Sequence, residues 1–301
     1  MGKTVNEIIF TIVIPHYNNI SGLKRLFDSI PDSSFIEVIL VDDRSTKIKL
    51  DDVIHSQSFV NFKFFSNEEK NKGAGSCRNI GLNHASGKYI LFADSDDFFL
   101  QDAFTSLVEI IKYKPDYDIY FLKPTSLSLI TGLDSDRHIY YCKLVDDYLE
   151  TGSDEIRFNF HVPWSKVYLK EFLLVNSITF DEVIASNDVM FSLKSGHLAK
   201  NIIACDNSIY CVTRGESSLT VTYTNSIMRS RYLVELDRLN YINRFNLNTK
   251  KISFSGMVRA YHKCIKFFDY LCLISKLFNR EISLLPKSKS IKNLFISRSE
   301  K

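Results

Sequence analysis

The strongest constraint on this chain is a rhythm in its first third: short apolar runs alternate with amphipathic ones, and two of the apolar runs end in clusters of aspartates. Residues 8–15, 36–42 and 89–93 are apolar and strand-like, residues 61–66 alternate, and residues 22–30, 75–84 and 103–112 read as helices. Strands and helices in succession predict an α/β fold with a mostly parallel sheet flanked by helices. Two of the strands run into Asp42-Asp43 and Asp94-Ser95-Asp96-Asp97. Ligands of open α/β sheets bind outside the carboxyl ends of the strands, so both clusters fall where a site is expected.

Three carboxylates within four residues raise one another's pKa unless a cation compensates them. A hard divalent ion, Mg2+ or Mn2+, takes oxygen ligands from one or two carboxylates and from substrate phosphates. The competing reading is a solvated turn, or an aspartate capping the next helix. In Asp42-Asp43-Arg44-Ser45-Thr46, a carboxylate is a suitable acceptor for a base N–H or a ribose hydroxyl. Between the two clusters lies Lys72-Gly73-Ala74-Gly75-Ser76-Cys77-Arg78-Asn79, whose glycines allow close backbone approach to a ligand and whose arginine offers a planar fork of donors. It lacks the Gly-Lys-Ser/Thr ending of a phosphate loop and does not fit the dinucleotide fingerprint.

Taken together these residues resemble the family-two glycosyltransferases of GT-A fold, inverting enzymes common in bacterial capsule and lipopolysaccharide assembly. The resemblance rests on Thr11-Ile12-Val13-Ile14-Pro15-His16-Tyr17-Asn18-Asn19, Val41-Asp42-Asp43-Arg44-Ser45-Thr46, residues 73–81 and Phe92-Ala93-Asp94-Ser95-Asp96-Asp97, in that order. Pro163-Trp164-Ser165-Lys166-Val167-Tyr168, Asn187-Asp188-Val189-Met190-Phe191 and residues 210–218 resemble the later motifs. The resemblance implies a nucleoside-diphosphate sugar donor, expected to be a UDP-sugar, and a saccharide or lipid-linked acceptor. It implies that Pro15, Tyr17, Asp42, Asp43, Arg78, Asp94 and Ser95 hold the donor nucleotide, that Asp96 and Asp97 hold the metal, and that Asp188 is the catalytic base. Many relatives carry Glu-Asp where this chain has Asn187-Asp188, and often Gly where it has Arg44. Asp188 has a second reading as a helix N-cap. Trp164 and His161 are tentative substrate-binding residues, with Trp164 equally readable as a packing anchor. Arg214, in a loop-like stretch, is a third tentative contact, reaching the diphosphate or closing over the donor, with a plain surface loop as the alternative. Lys166 reads as a solvated side chain.

The expected domains are a catalytic domain over residues 1–224, with a donor half to 124 and an acceptor-side half from 125, and a helical extension over 225–301. Residues 125–160 look irregular apart from helix near 143–150, and residues 163–174 look like a loop feeding a helix. Net charge is only +3, yet residues 250–301 hold twelve Lys/Arg against three Asp/Glu. Residues 261–278 are aromatic and amphipathic. This extension reads either as a partner for an anionic membrane surface or as a subdomain packing on the rest. No nucleic-acid motif accompanies its basic residues.

The six cysteines form no zinc-ligand spacing and read as free thiols of a reducing compartment. No signal peptide is visible, and no apolar run approaches the roughly 20 residues of a membrane span. The expected location is the cytoplasm, with peripheral attachment to the inner face of the plasma membrane. Two rival functions are a sugar-phosphate nucleotidyltransferase, which should carry a Gly- and Arg-rich phosphate loop absent from residues 11–19, and a nucleotide-sugar-binding protein without catalysis.

Overall fold

The computed structural model describes residues 7–46, 54, 57–215 and 224–286. It divides into two compact units, Met1–Thr222 and Tyr223–Lys301. Among the described residues the first unit holds eight strands: β1 (Phe10–His16), β2 (Ile36–Asp42), β3 (Phe62–Ser66), β4 (Tyr89–Phe92), β5 (Phe98–Phe99), β6 (Ile119–Ser128), β7 (Lys166–Leu169) and β8 (Ile202–Arg214). They form one sheet in the order β3-β2-β1-β4-β7-β6-β8-β5. Only β5 and β7 run against the other strands. Its helices are α1 (Ile20–Asp28), α2 (Ala74–His84), α3 (Ala103–Tyr113), α4 (Ile139–Thr151), α5 (Glu155–Asn159), α6 (Lys170–Val175) and α7 (Val189–Leu198).

Strands β1, β2 and β4 are buried along their whole length, which is why they read as unbroken apolar runs rather than alternating ones. The chain enters at β1, moves outward through β2 and β3, then returns to the other side of β1 as β4. That reversal makes the carboxyl ends of β1 and β4 the topological switch point, where open α/β sheets bind their ligands. Pairing between β1 and β4 stops at Val13, two residues before Pro15, which has no N–H to give a ladder.

Three strands depart from the sequence reading. β6 continues through Lys123 and Pro124 into the stretch expected to be irregular, with register shifts at those two residues. A proline is tolerated in a ladder at such a bulge. β7 replaces part of the expected loop of residues 163–174: it is four residues long and begins with a lysine, so no periodic signal announces it. β8 absorbs residues 210–214 into a 13-residue strand, so Arg214 ends a strand rather than sitting in a loop.

The second unit contains α8 (Asn225–Arg244), α9 (Phe254–Tyr261) and α10 (Phe267–Phe278). Tyr232, Leu239, Met257, Leu273 and Ile282 form its core. Thr224 and Ser253 cap α8 and α9 by accepting bonds from the backbone N–H groups of Ile227 and Gly256. Arg229 on α8 forks onto the Asp269 carboxylate of α10. All six cysteines are free, with Cys77, Cys205 and Cys211 buried. Among the described residues, no helix is long and apolar enough to cross a membrane.

Candidate functional site

The site is built at the carboxyl ends of β1, β2 and β4. At the end of β2, Asp42 is spent on local architecture. Its Oδ1 accepts the Nδ1–H of buried His16 at 3.0 Å and the Ser45 hydroxyl, and its Oδ2 accepts the Ser45 N–H at 2.9 Å. The His16 Nε2 accepts the Asn19 N–H, which fixes the ring tautomer. Asp43 reaches the other way: Oδ1 accepts from Asn67 Nδ2 at 2.7 Å and Oδ2 from the Gly73 N–H at 2.9 Å. Asp43 therefore ties the end of β2 to the start of α2. Arg44 follows with φ +62°, the left-handed backbone that explains a preference for glycine there. Tyr17, 53% exposed, stands at the mouth with the Lys72 ammonium 5.9 Å from its ring centroid.

Helix α2 starts at Gly73, whose φ of +126° is accessible to glycine alone, and it passes close under a later segment at Gly75. A Cβ at Gly75 would meet the Asp181 carbonyl oxygen at 2.2 Å and Asn187 Cβ at 3.0 Å. This approach brings Arg78, buried in the next turn, against the opposite wall. Its Nη1 donates to Asn187 Oδ1 at 2.7 Å and its Nη2 to Asp94 Oδ1 at 2.5 Å, while the guanidinium lies 5.2 Å from the Phe180 ring centroid. Asn187, a neutral amide, thus holds Arg78 without neutralising it.

Beyond β4 the chain turns tightly, with the Asp97 N–H donating to the Asp94 carbonyl. One oxygen from each of Asp94, Asp96 and Asp97 lies within 4.8 Å of the others. The Asp94 N–H donates to the Tyr210 hydroxyl at 2.8 Å. Thr213 binds the cluster twice: its N–H donates to Asp97 Oδ1 at 2.7 Å and its hydroxyl to the Asp96 carbonyl at 2.6 Å. Arg25 of α1 also donates to the Asp96 carbonyl. Burial and then the Asp94 charge push the Asp96 carboxyl above its ordinary value. Asp97, fully buried, is pushed well above by burial and by both neighbouring carboxylates, against the Thr213 N–H and Arg137. Carboxylates gathered this closely are a donor set suited to a hard divalent cation.

Asp188 occupies the N-cap position of α7, yet its side chain makes no capping bond. Burial raises its pKa, opposed by the charges of Arg78 and His161 and reinforced by that of Asp94. The carboxylate therefore belongs electrostatically to the same centre as the cluster. His161 flanks it, with Nδ1 donating to the Asn159 carbonyl at 3.0 Å and Nε2 3.1 Å from the Tyr141 hydroxyl.

Two expectations change here. Trp164 is only 2% exposed and packs against Tyr141, Phe160 and Tyr210, so its indole anchors the core and offers no face to a sugar. Lys166 is not solvated. It is fully buried among the rings of Phe121, Phe160 and Tyr168, donates to the Phe160 carbonyl, and burial lowers its pKa well below that of free lysine. Arg214 pairs at 3.2 Å with Asp136 on the rim of an open cavity of about 610 Å³, one residue along β8 from Thr213. Ser95 lies in the turn between Asp94 and Asp96 and Pro15 at the end of β1. Arg25, Arg137, Tyr210 and Thr213 join the centre without having been singled out. Only the quoted stretch 210–218 pointed toward any of them, because their roles depend on β8 lying beside β5 and on distant segments carrying Arg25 and Arg137 reaching the aspartate turn.

A largely parallel sheet reversing beside its central strand, flanked by helices, is a GT-A-like fold. The solved structure of Staphylococcus aureus TarS 1–349 in complex with UDP-GlcNAc matches 91% of this chain and 82% of that one, with TM-score 0.63 and 22% identity. The mannosyltransferase PcManGT from Pyrobaculum calidifontis, in complex with GDP-Man and Mn2+, matches 90% and 74%, with TM-score 0.55 and 13% identity. By sequence, GlyA, a glycosyltransferase of Streptococcus pneumoniae, is 26% identical over 236 residues, 73% of this chain and 32% of the relative. TarS, named a poly(ribitol-phosphate) β-N-acetylglucosaminyltransferase, is 26% identical over 213 residues, 69% and 36%. The chain spans about a third of the length of these two curated relatives. Residues 11–156, just under half of the chain, match the family described as glycosyl transferase family 2.

Proposed function

We propose that the chain is an inverting, metal-dependent glycosyltransferase that moves a sugar from a nucleoside-diphosphate sugar, of the UDP class, to a saccharide or lipid-linked acceptor in surface polysaccharide synthesis. The observation that carries this reading is the convergence of Asp94, Asp96 and Asp97 with Arg78 and Asp188 at one strand-end site. The UDP-GlcNAc complex of TarS supports the donor class, and the Mn2+ complex of PcManGT supports the metal.

On this reading Tyr17 offers an exposed ring to the base, the loop from Pro15 to Tyr17 forms its wall, and Asp43 offers an unused lone pair beside Gly73. Asp42 acts through His16 and Ser45, shaping that loop. Asp96 and Asp97 would hold Mg2+ or Mn2+, with Asp94 and Ser95 toward the nucleotide; a cation there supplies compensation for charge growing on the leaving diphosphate. Asp188 takes the proton of the acceptor hydroxyl as its oxygen bonds to the anomeric carbon and the bond to the diphosphate breaks on the opposite face. Burial makes Asp188 a better base, and the charges of Arg78 and His161 oppose that rise. Arg214 would reach the diphosphate or close over the donor, and peripheral attachment to an anionic membrane suits a lipid-linked acceptor.

The test is a nucleotide-release screen of purified protein against UDP-, GDP-, dTDP- and CMP-sugars with manganese, magnesium or EDTA. Metal-dependent release from one sugar is the expected result. Donor binding with no release under any acceptor would favour the non-catalytic alternative, and neither binding nor release would remove the donor-site assignment.

A further inference from the structure

The second unit places an unusual surface on α10. One side of the helix packs inward through Leu273 and Leu277, and Asp269 is held by Arg229. On the other side Phe267, Phe268 and Phe278 are 71%, 79% and 82% exposed, with Leu271 and Ile274 exposed between them. At 100° per residue these five positions fall in a stripe about 120° wide along a helix of about 18 Å. The three phenyl rings alone leave on the order of 400 Å² of apolar surface in water, within the range where patches on monomers are functional.

Charge identifies what the stripe fits. Its described residues, 224–286, hold eleven Lys/Arg against four Asp/Glu. Lys263 and Lys266 are exposed just before the first turn of α10, and Arg280 is exposed just after its last. A second copy of so basic a surface would be repelled, whereas acidic headgroups are attracted and the rings enter the interface between headgroup and acyl chain. Twelve residues are too few to span a bilayer, so a helix of this kind lies in the membrane plane. We propose that α10 docks flat on an anionic lipid surface through Phe267, Phe268, Leu271, Ile274 and Phe278, with Lys263, Lys266 and Arg280 on the headgroups. This names the surface for the peripheral attachment read above and stands whether or not the transferase reading holds.

The test is flotation of the full chain with phosphatidylcholine vesicles containing 30% phosphatidylglycerol by design, set against pure phosphatidylcholine. Wild type should float with the acidic vesicles and bind the neutral ones at least tenfold more weakly. The triple change Phe267→Ser, Phe268→Ser, Phe278→Ser should lower binding at least tenfold, with its far-ultraviolet spectrum and melting unchanged because the rings it removes are exposed. The single Phe268→Ser supplies a milder version should the triple variant fold poorly. Lys263→Gln with Lys266→Gln should lower binding by roughly fivefold per charge. Wild type that stays unbound, or Phe variants that float like wild type, overturns the proposal. A concentration-dependent dimer in sedimentation, lost in the triple variant and unaccompanied by flotation, assigns the face to a second copy and overturns it equally.

Discussion

Replacing Asp188 by asparagine separates its two readings. As an N-cap, asparagine serves as well as aspartate, and the Asp188 side chain makes no capping bond in any case, so the fold should tolerate the change. As a general base the carboxylate is irreplaceable, and a positioned base contributes about 10²- to 10⁴-fold. At 1.36 kcal/mol per decade that is about 3–5 kcal/mol of barrier. The donor-side groups Arg78, Asp94 and Asn187 keep their mutual bonds, so donor affinity should change little. The ionised form is the active one and burial raises its pKa, so wild-type kcat/KM should climb with pH along a limb centred above the ordinary aspartate value of about 3.9, and the variant should lose that limb. The assay is nucleotide release with the donor found in the screen, across pH, beside a thermal melt and a donor titration. Turnover within about threefold of wild type, with the acid limb intact, would refute the assignment.

Other outcomes follow from the same geometry. Lys166 has a folded pKa lowered by burial, so between that value and the roughly 10.4 of free lysine the unfolded chain binds the extra proton and stability rises with pH, by up to about 1.4 kcal/mol per unit. Lys166→Met should abolish that slope, as urea denaturation at pH 7, 8 and 9 will tell; parallel slopes would contradict it. Gly75→Ala drives a Cβ into the Asp181 carbonyl and should cost about 1–3 kcal/mol in denaturant unfolding, with weaker UDP binding as Asn187 parts from Arg78. Asp96→Asn should weaken Mn2+ binding at least tenfold by calorimetry. Wild-type affinity should fall as pH drops, since carboxyls raised by burial and mutual repulsion must lose their protons to bind the ion. Nucleotide release unaffected by EDTA would argue against the metal altogether.

The sequence alone determined the left half of the sheet and the acidic ends of its strands. Buried parallel strands need continuous apolar runs, and these are visible in one dimension at β1, β2 and β4. Helix α2 was legible over residues 75–84 and the start of α7 at Asp188, because both signals are local. The order of the site motifs along the chain was enough to suggest the family. Tertiary structure alone decided which polar residues the site uses. That Asn187 holds Arg78, that Thr213 and Tyr210 brace the aspartate turn, and that Asp42 serves His16 depends on contacts across 26 to 117 residues of chain. Burial likewise reversed the reading of Lys166 and withdrew Trp164 from solvent. Both sit in or beside the short strand β7, where no residue period records the neighbours on either side. Sequence patterns report the environment a residue type usually needs. Only the assembled sheet supplies the partner, the distance and the loss of water that set what each charge costs and what it can do.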